Sequence, residues 1–219
     1  MDSKGQESRQ EGKLKVLIRK EGIPYIGVST LFSWSLSRTR LGYIGWVPAL
    51  FTTYFFRDPK RYIPDGDGLI LSPADGRVIG VLSTSEELVG PCFKVSIFMS
   101  IFNVHINRAI VDGVVVGKRY RPGEFHLAFL GKKTDANERM ILYVENSAGV
   151  FRVDQVAGLV ARRIVCWPGI GDRLSKGQRI GLIQFGSLLE CYIPSSIAIS
   201  VKKGDRVQAG QSVLGRYMV

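Results

Sequence analysis

Hydrophobic and polar positions divide the chain into two textures. Near the start stand two uncharged, apolar runs, Ile23 to Ser37 and Leu41 to Phe56, separated by Arg38 and Arg40. Each is shorter than the roughly 20 residues a straight helix needs to cross a bilayer. Both carry residues that favour a membrane interface: Tyr25, Trp34, Tyr43, Trp46 and Tyr54. Lys20, Arg38, Arg40 and Arg57 stand at their ends, where long cationic side chains reach headgroups. The pattern predicts a hairpin of two short helices, residues 23–56, embedded in one leaflet or its interface. A helical pair buried in a soluble core is the alternative. Two full spans are disfavoured by Gly42, Gly45 and Pro48.

From Arg57 onward, short β-branched and aromatic stretches alternate with turn signals. Strands are expected at Leu69–Leu71, Arg77–Leu82, Phe93–Phe98, Ile110–Tyr120, Met140–Glu145, Val150–Val156, Gln178–Phe185 and Ile197–Val201. Between them lie Asp65-Gly66-Asp67-Gly68, Asp75-Gly76, Pro122-Gly123, Pro168-Gly169, Lys176-Gly177 and Lys203-Gly204-Asp205. Brief helices are expected only at Ser100–Val104 and Glu124–Leu130. The fold class is therefore mainly β: a sandwich or barrel-like domain over 57–219, preceded by the hydrophobic hairpin of 23–56. Residues 1–22 read as a polar leader, disordered at its start, with no signal-peptide pattern. The segments Ser72–Val78 and Val201–Gln211 both resemble hairpin turns of biotinyl/lipoyl-type domains. No Met-Lys-Met tip is present, so this bears on architecture and not on carrier function.

Composition adds two constraints. The formal net charge of +11 implies an anionic partner, and no zinc-ligand spacing, RNA-binding strand signature or basic heptad favours nucleic acid over lipid. The cysteines, Cys92, Cys166 and Cys191, are odd in number and flanked by apolar residues, as expected of buried free thiols. Two histidines and no Cys pair make a metal site unexpected.

Three local features carry chemistry. Asp75 sits in the turn Ser72-Pro73-Ala74-Asp75-Gly76. His105 lies in Phe98-Met99-Ser100-Ile101-Phe102-Asn103-Val104-His105-Ile106-Asn107-Arg108, among amides and a guanidinium able to orient an imidazole. His126 has less around it. Ser187 follows Ile183-Gln184-Phe185-Gly186, where an unhindered Gly carbonyl lies beside a hydroxyl. Acid, imidazole and hydroxyl form the set that activates a serine, provided they meet in space. A serine hydrolase, a non-enzymatic membrane adaptor and a nucleic-acid binder are the competing readings.

These motifs, together with Phe55-Phe56-Arg57-Asp58-Pro59, Asn137-Glu138-Arg139 and Ala157-Gly158-Leu159-Val160-Ala161-Arg162-Arg163-Ile164, occur in the order found in phosphatidylserine decarboxylases. The chain resembles the compact bacterial and archaeal branch of that family over roughly 55–215, a branch that includes enzymes acting on archaetidylserine. The resemblance implies self-cleavage between Gly186 and Ser187, with Asp75 and His105 assisting, into a large chain 1–186 and a small chain 187–219. Ser187 becomes a covalent pyruvoyl group, the cofactor, which forms a Schiff base with the substrate amine and draws off electrons as CO2 leaves. His105 is the expected proton donor. The implied substrate is a serine-headgroup phospholipid, diacyl or archaeal ether. The implied location is the cytoplasmic side of the cell membrane, peripheral or monotopic, with a homodimer left open. Arg162, Arg163, Asn137 and Arg139 are candidates for binding the headgroup. Gln184 and Leu188 stand where the family often has Arg, so no electrostatic role carries over to those neighbours.

Overall fold

A computed structural model describes residues 17–39, 42–123, 136–158, 163–184 and 187–218. Most of the leader and the segment expected to be helical at Glu124–Leu130 lie outside the described residues. The chain divides into two compact units, residues 1–60 and 61–219.

In the first unit, β1 (Leu17–Ile18) precedes a short 3-10 turn and α1 (Ile23–Ser37). A second 3-10 segment, Gly42–Trp46, leads into α2 (Val47–Phe55), and β2 (Arg57–Asp58) returns to pair with β1. Both α-helices have a proline in the first turn, Pro24 and Pro48, where the missing N–H has no intrahelical partner to lose. That explains why the second apolar run is not one helix: Pro48 starts α2 and leaves the preceding residues in 3-10 form. Gly45 is required by packing, because a Cβ there would lie 2.9 Å from Leu36 Cβ. Large apolar side chains point outward from this unit; Leu31 is 68% exposed, Val28 70% and Tyr43 95%. No helix among the described residues is long and apolar enough to cross a membrane.

The second unit is mainly β. Its strands are β3 (Leu69–Leu71), β4 (Gly76–Glu86), β5 (Gly90–Met99), β6 (Ile106–Arg108), β7 (Gly113–Arg121), β8 (Arg139–Asn146) and β9 (Gly149–Ala157). There follow β10 (Arg163–Cys166), β11 (Arg173–Leu174), β12 (Arg179–Gln184), β13 (Ser187–Pro194), β14 (Ala198–Ile199), β15 (Arg206–Val207) and β16 (Val213–Arg216). An eight-stranded sheet in the order β11-β7-β8-β9-β13-β5-β4-β15 curls into a half-barrel. Two three-stranded sheets, β10-β12-β6 and β14-β16-β3, complete the unit, and every pairing is antiparallel. The core lies on the face carrying Met99, Ile97, Leu189, Cys191, Val153 and Phe151.

Several strand limits differ from expectation. The stretch from Ile110 becomes a strand only at Gly113, and Ile110 and Val111 are instead buried in the connection. Ser100–Val104 is not a helix. Asn103 closes it as a turn: its Oδ1 accepts from Ser100 N–H (2.9 Å) and Ser100 Oγ (2.8 Å), satisfying the backbone locally. The strands β1, β2, β6, β10, β11, β13, β15 and β16 were not anticipated. Cys92 and Cys191 are buried free thiols, while Cys166 is half-buried.

Candidate active site

Sheet register gathers the site. Ser187, the first residue of β13, lies between Met99 on β5 and Ala157 on β9. Beyond β5, β4 pairs Arg77 with Phe98, which sets Asp75 at the mouth of the same sheet end, about two strand spacings or roughly 10 Å from Ser187. The chain changes sheets at this point. β12, which belongs to the small sheet with β10 and β6, ends at Gln184, and β13 of the large sheet begins at Ser187. Gly186, the other side of the expected scissile bond, lies outside the described residues, as do Arg162 and His126.

Ser187 is completely buried, and its Oγ donates to Met99 Sδ at 3.4 Å. A thioether is a weak acceptor, so the hydroxyl is desolvated without being held by a strong partner. Met99 Sδ also accepts from Asn107 Nδ2 at 3.7 Å. Gln155 Nε2 donates to Asn107 Oδ1 at 2.7 Å and thereby fixes which end of that amide faces Met99. The close approach of Gln155 depends on Gly181, whose added Cβ would lie 2.8 Å from Gln155 Nε2.

His105 is 2% exposed, and its Nδ1 is 3.0 Å from Asn103 O. A carbonyl only accepts, so Nδ1 carries the proton and Nε2 the lone pair in the neutral ring. His105 and Asn107 flank Ile106 in extended backbone, which directs both to one side. The register Leu182–Ile106 aims this segment along β12 toward residue 187.

Asp75 is held differently. Its Oδ2 accepts from Arg61 Nη2 and its Oδ1 from Ala209 N–H, at 2.7 and 2.8 Å. Arg61 Nη1 also donates to Gln211 Oε1 at 3.0 Å, and Gly210 N–H donates to Ser72 O at 2.8 Å. The two lipoyl-like turns therefore pack against each other, and Asp75 lies at their junction. Each carboxylate oxygen of Asp75 thus has a partner at that junction.

The other candidates divide. Asn137 is buried, and its Nδ2 donates to Ala157 O at 2.8 Å, on the residue paired with Ser187. Arg163 begins β10, is exposed and pairs in register with Gln184. Arg139 points into an ionic network on the sheet face opposite Ser187, donating to Asp154 Oδ2 (3.0 Å) and Glu190 Oε2 (3.1 Å). Burial pushes all three thiols above their usual range, most strongly Cys191, where Asp154 and Glu190 add to the effect. No thiol therefore competes with Ser187 as a nucleophile at neutral pH. Sequence reasoning missed Arg61, Met99 and Gln155. Met99 and Asn107 sit inside the His105 block, but nothing in the sequence linked Arg61 to Asp75.

Comparison with known proteins places this arrangement. A family model described as phosphatidylserine decarboxylase matches residues 49–215. The phosphatidylserine decarboxylase proenzyme of Symbiobacterium thermophilum is 46% identical over 91% of this chain and 95% of its own length. Those of Desulfotalea psychrophila and Syntrophus aciditrophicus are 42% and 44% identical, over 93% and 91% of this chain and 98% and 97% of theirs.

Proposed function

Because this chain belongs to the phosphatidylserine decarboxylase family, we propose that it severs its own backbone at Gly186–Ser187 and then decarboxylates phosphatidylserine with the pyruvoyl group left at residue 187. The observation that carries this reading is the state of Ser187: fully buried, first in a central strand, and with its hydroxyl bonded, among the described residues, only to a thioether sulfur.

The first step needs no outside reagent except water. Ser187 Oγ attacks the Gly186 carbonyl carbon, its proton passes to His105 Nε2, and the peptide C–N bond gives way to an ester. Elimination then releases the Gly186 carboxylate and leaves dehydroalanine, which water converts to a keto group with loss of ammonia. The residues around Ser187 fit such a group. Hydrogen-bonded ladders to β5 and β9 hold residue 187 on both sides. Those ladders also keep the small chain bound, since it carries the central strand β13 together with β14, β15 and β16. A ketone beside an amide supplies the electron sink that an α-amino acid headgroup needs to lose CO2. The protein's own part is to exclude water, to hold residue 187 against Met99 and Asn107, and, with the His105 ring in its imidazolium form after Nε2 has taken up a proton, to deliver that proton to the carbon that has lost the carboxylate. Asp75 acts through position: with Arg61 and Ala209 it locks the turn at the sheet end beside the site.

We also read the first unit as a membrane anchor lying in the interface. Support comes from its outward apolar side chains and from cations stacked on aromatic rings: Arg38 lies 3.9 Å from the Trp34 ring centroid and Arg57 3.6 Å from that of Tyr54.

Intact-mass spectrometry of purified protein tests the central claim. The expected result is two chains, 1–186 and 187–219, the smaller with a ketone-bearing N-terminus that borohydride reduces with loss of activity. Ser187→Ala should stay a single chain. An active preparation made of one unbroken chain would overturn the reading.

A further inference from the structure

Two buried amides lie on the same sheet face as Ser187. Gln155 on β9 pairs in register with Leu189, two residues along β13 from Ser187, so strand alternation puts its side chain on the serine's side. Gln155 is 2% exposed and Asn107 is fully buried. We propose that Gln155 is a positioning residue for self-cleavage: it holds the Asn107 amide with its NH2, and not its oxygen, toward Met99 and Ser187. The assignment rests on the decarboxylase reading above.

Three observations carry it. First, backbone anchors the polarity of the pair. Gln155 Nε2 donates to Val165 O at 3.3 Å as well as to Asn107 Oδ1 at 2.7 Å. A backbone carbonyl only accepts, and one held in β10 cannot be turned round, so the Gln155 NH2 must lie on this side. With its oxygen taken by that NH2, Asn107 has only its own NH2 to present to Met99 Sδ, at 3.7 Å. Second, Gln155 gives up a bond to do this. Its Oε1 is buried and has no hydrogen-bond partner among the described residues. An unsatisfied buried acceptor is destabilising, so the donor end of Gln155 governs its placement. Third, the backbone is shaped to admit it. β12 carries a bulge between Arg179 and Gly181, which sets Gly181 opposite Asn107. A Cβ at Gly181 would lie 2.1 Å from Val165 O and 2.8 Å from Gln155 Nε2, closing the space where the two amides meet.

The orientation matters because the Asn107 NH2 and the Ser187 hydroxyl converge on one sulfur, Met99 Sδ. Both donate to it, and a thioether is a weak acceptor. When Ser187 Oγ gives its proton to His105 Nε2, it turns from donor to acceptor and gathers negative charge. An N–H held only by sulfur can then shift to Oγ without rearrangement of the fold, which stabilises that charge. An overturned Asn107 would set its carbonyl oxygen against the same charge and oppose it. Gln155 touches no reacting atom and acts through Asn107.

The test follows self-cleavage of the full chain by mass after cell-free synthesis. Thermal unfolding of each variant in the Ser187→Ala background checks folding. Gln155→Met keeps the shape without the donor and should slow cleavage roughly tenfold. Asn107→Leu should slow it by a similar factor. The double variant should be no slower than Asn107→Leu alone, because Gln155 works only through that amide. Gln155→Glu gives a readout that packing does not move. Protonated, its carboxyl donates as the amide does; ionised, it only accepts and draws the Asn107 NH2 round to itself. Burial raises the pH at which such a carboxyl ionises. The cleavage rate of this variant should therefore fall as pH rises through that ionisation, whereas the wild-type rate should climb to a plateau as His105 becomes neutral. A wild-type rate for folded Gln155→Met overturns the proposal. So does a double variant in which the two losses multiply, or a Gln155→Glu profile that keeps the wild-type plateau. An unbroken wild-type chain would overturn the decarboxylase reading and this proposal together, whereas normal wild-type cleavage with indifferent variants would overturn this proposal alone.

Discussion

Arg139 is 2% exposed and lies between two carboxylates that are buried as deeply, Asp154 and Glu190. Its neighbours extend the network: Arg152 pairs with Asp154 at 2.6 Å and with Glu86 at 3.0 Å, and Lys94 with Glu190 at 3.0 Å. Three cations thus meet three anions. Removing one cation from such a set leaves buried negative charge uncompensated, at a cost of about 3 kcal/mol or more. Arg139→Met should therefore lower the unfolding free energy measured in urea by that amount, while the part that still folds binds soluble glycerophosphoserine, a headgroup without a bilayer, as well as the parent. A large loss of headgroup affinity with normal stability would instead make Arg139 a ligand of the substrate. The distinction shows why an Asn-Glu-Arg motif suggests headgroup binding from sequence: a conspicuous arginine looks the same whether it serves a ligand or a pair of distant carboxylates.

The strands show where local pattern suffices and where it does not. β4, β5, β8 and β9 were legible because each is β-branched or aromatic in its middle and has a Gly or Asp turn signal at one end or both, such as Asp75-Gly76 before β4 and Gly149 between β8 and β9. β13 was not, although it starts at the reactive serine. It reads Ser-Leu-Leu-Glu-Cys-Tyr-Ile-Pro, is buried on both faces and so lacks alternation; Glu190 resembles a surface residue until Lys94 and Arg139 are brought to it. The serine itself was legible, as were His105 and the Asp75 turn. Their settings were not, since Arg61–Asp75 and Met99–Ser187 depend on pairings between segments that are not neighbours in the chain. Gly76 gives an element-scale test of the Asp75 turn. A Cβ there would sit 2.2 Å from Phe98 O, so β4 must move off β5 just where Asp75 is clamped. Gly76→Ala should cost about 2 kcal/mol of stability and slow self-cleavage. Gly80→Ala on the same strand meets nothing within 4 Å and should be neutral in both assays. Equal effects at the two positions would remove the steric argument.

On the scale of the whole chain, two forces should act together at a membrane, and they can be separated because salt affects only one. The net charge of +11 draws the protein to an anionic surface, and raising salt from about 0.1 to 1 M shortens the screening length from about 10 to 3 Å. The outward apolar side chains of the first unit are insensitive to that screening, and kosmotropic salt would strengthen their burial. In vesicle flotation, wild-type protein should bind phosphatidylglycerol vesicles better than phosphatidylcholine vesicles at low salt and equally well at high salt, with a salt-resistant fraction on both. Leu31→Ser, Phe32→Ser and Trp34→Ser combined replace side chains that are 68%, 55% and 51% exposed on α1, so folding should be spared. This variant should keep the salt-sensitive binding and lose the rest. It should also decarboxylate soluble short-chain substrate normally and vesicle substrate poorly, because the deficit lies in delivery to the lipid surface and not in the chemistry at residue 187. If high salt released the wild-type protein completely, charge alone would be the attachment, and the exposed apolar surface of α1 would need another partner.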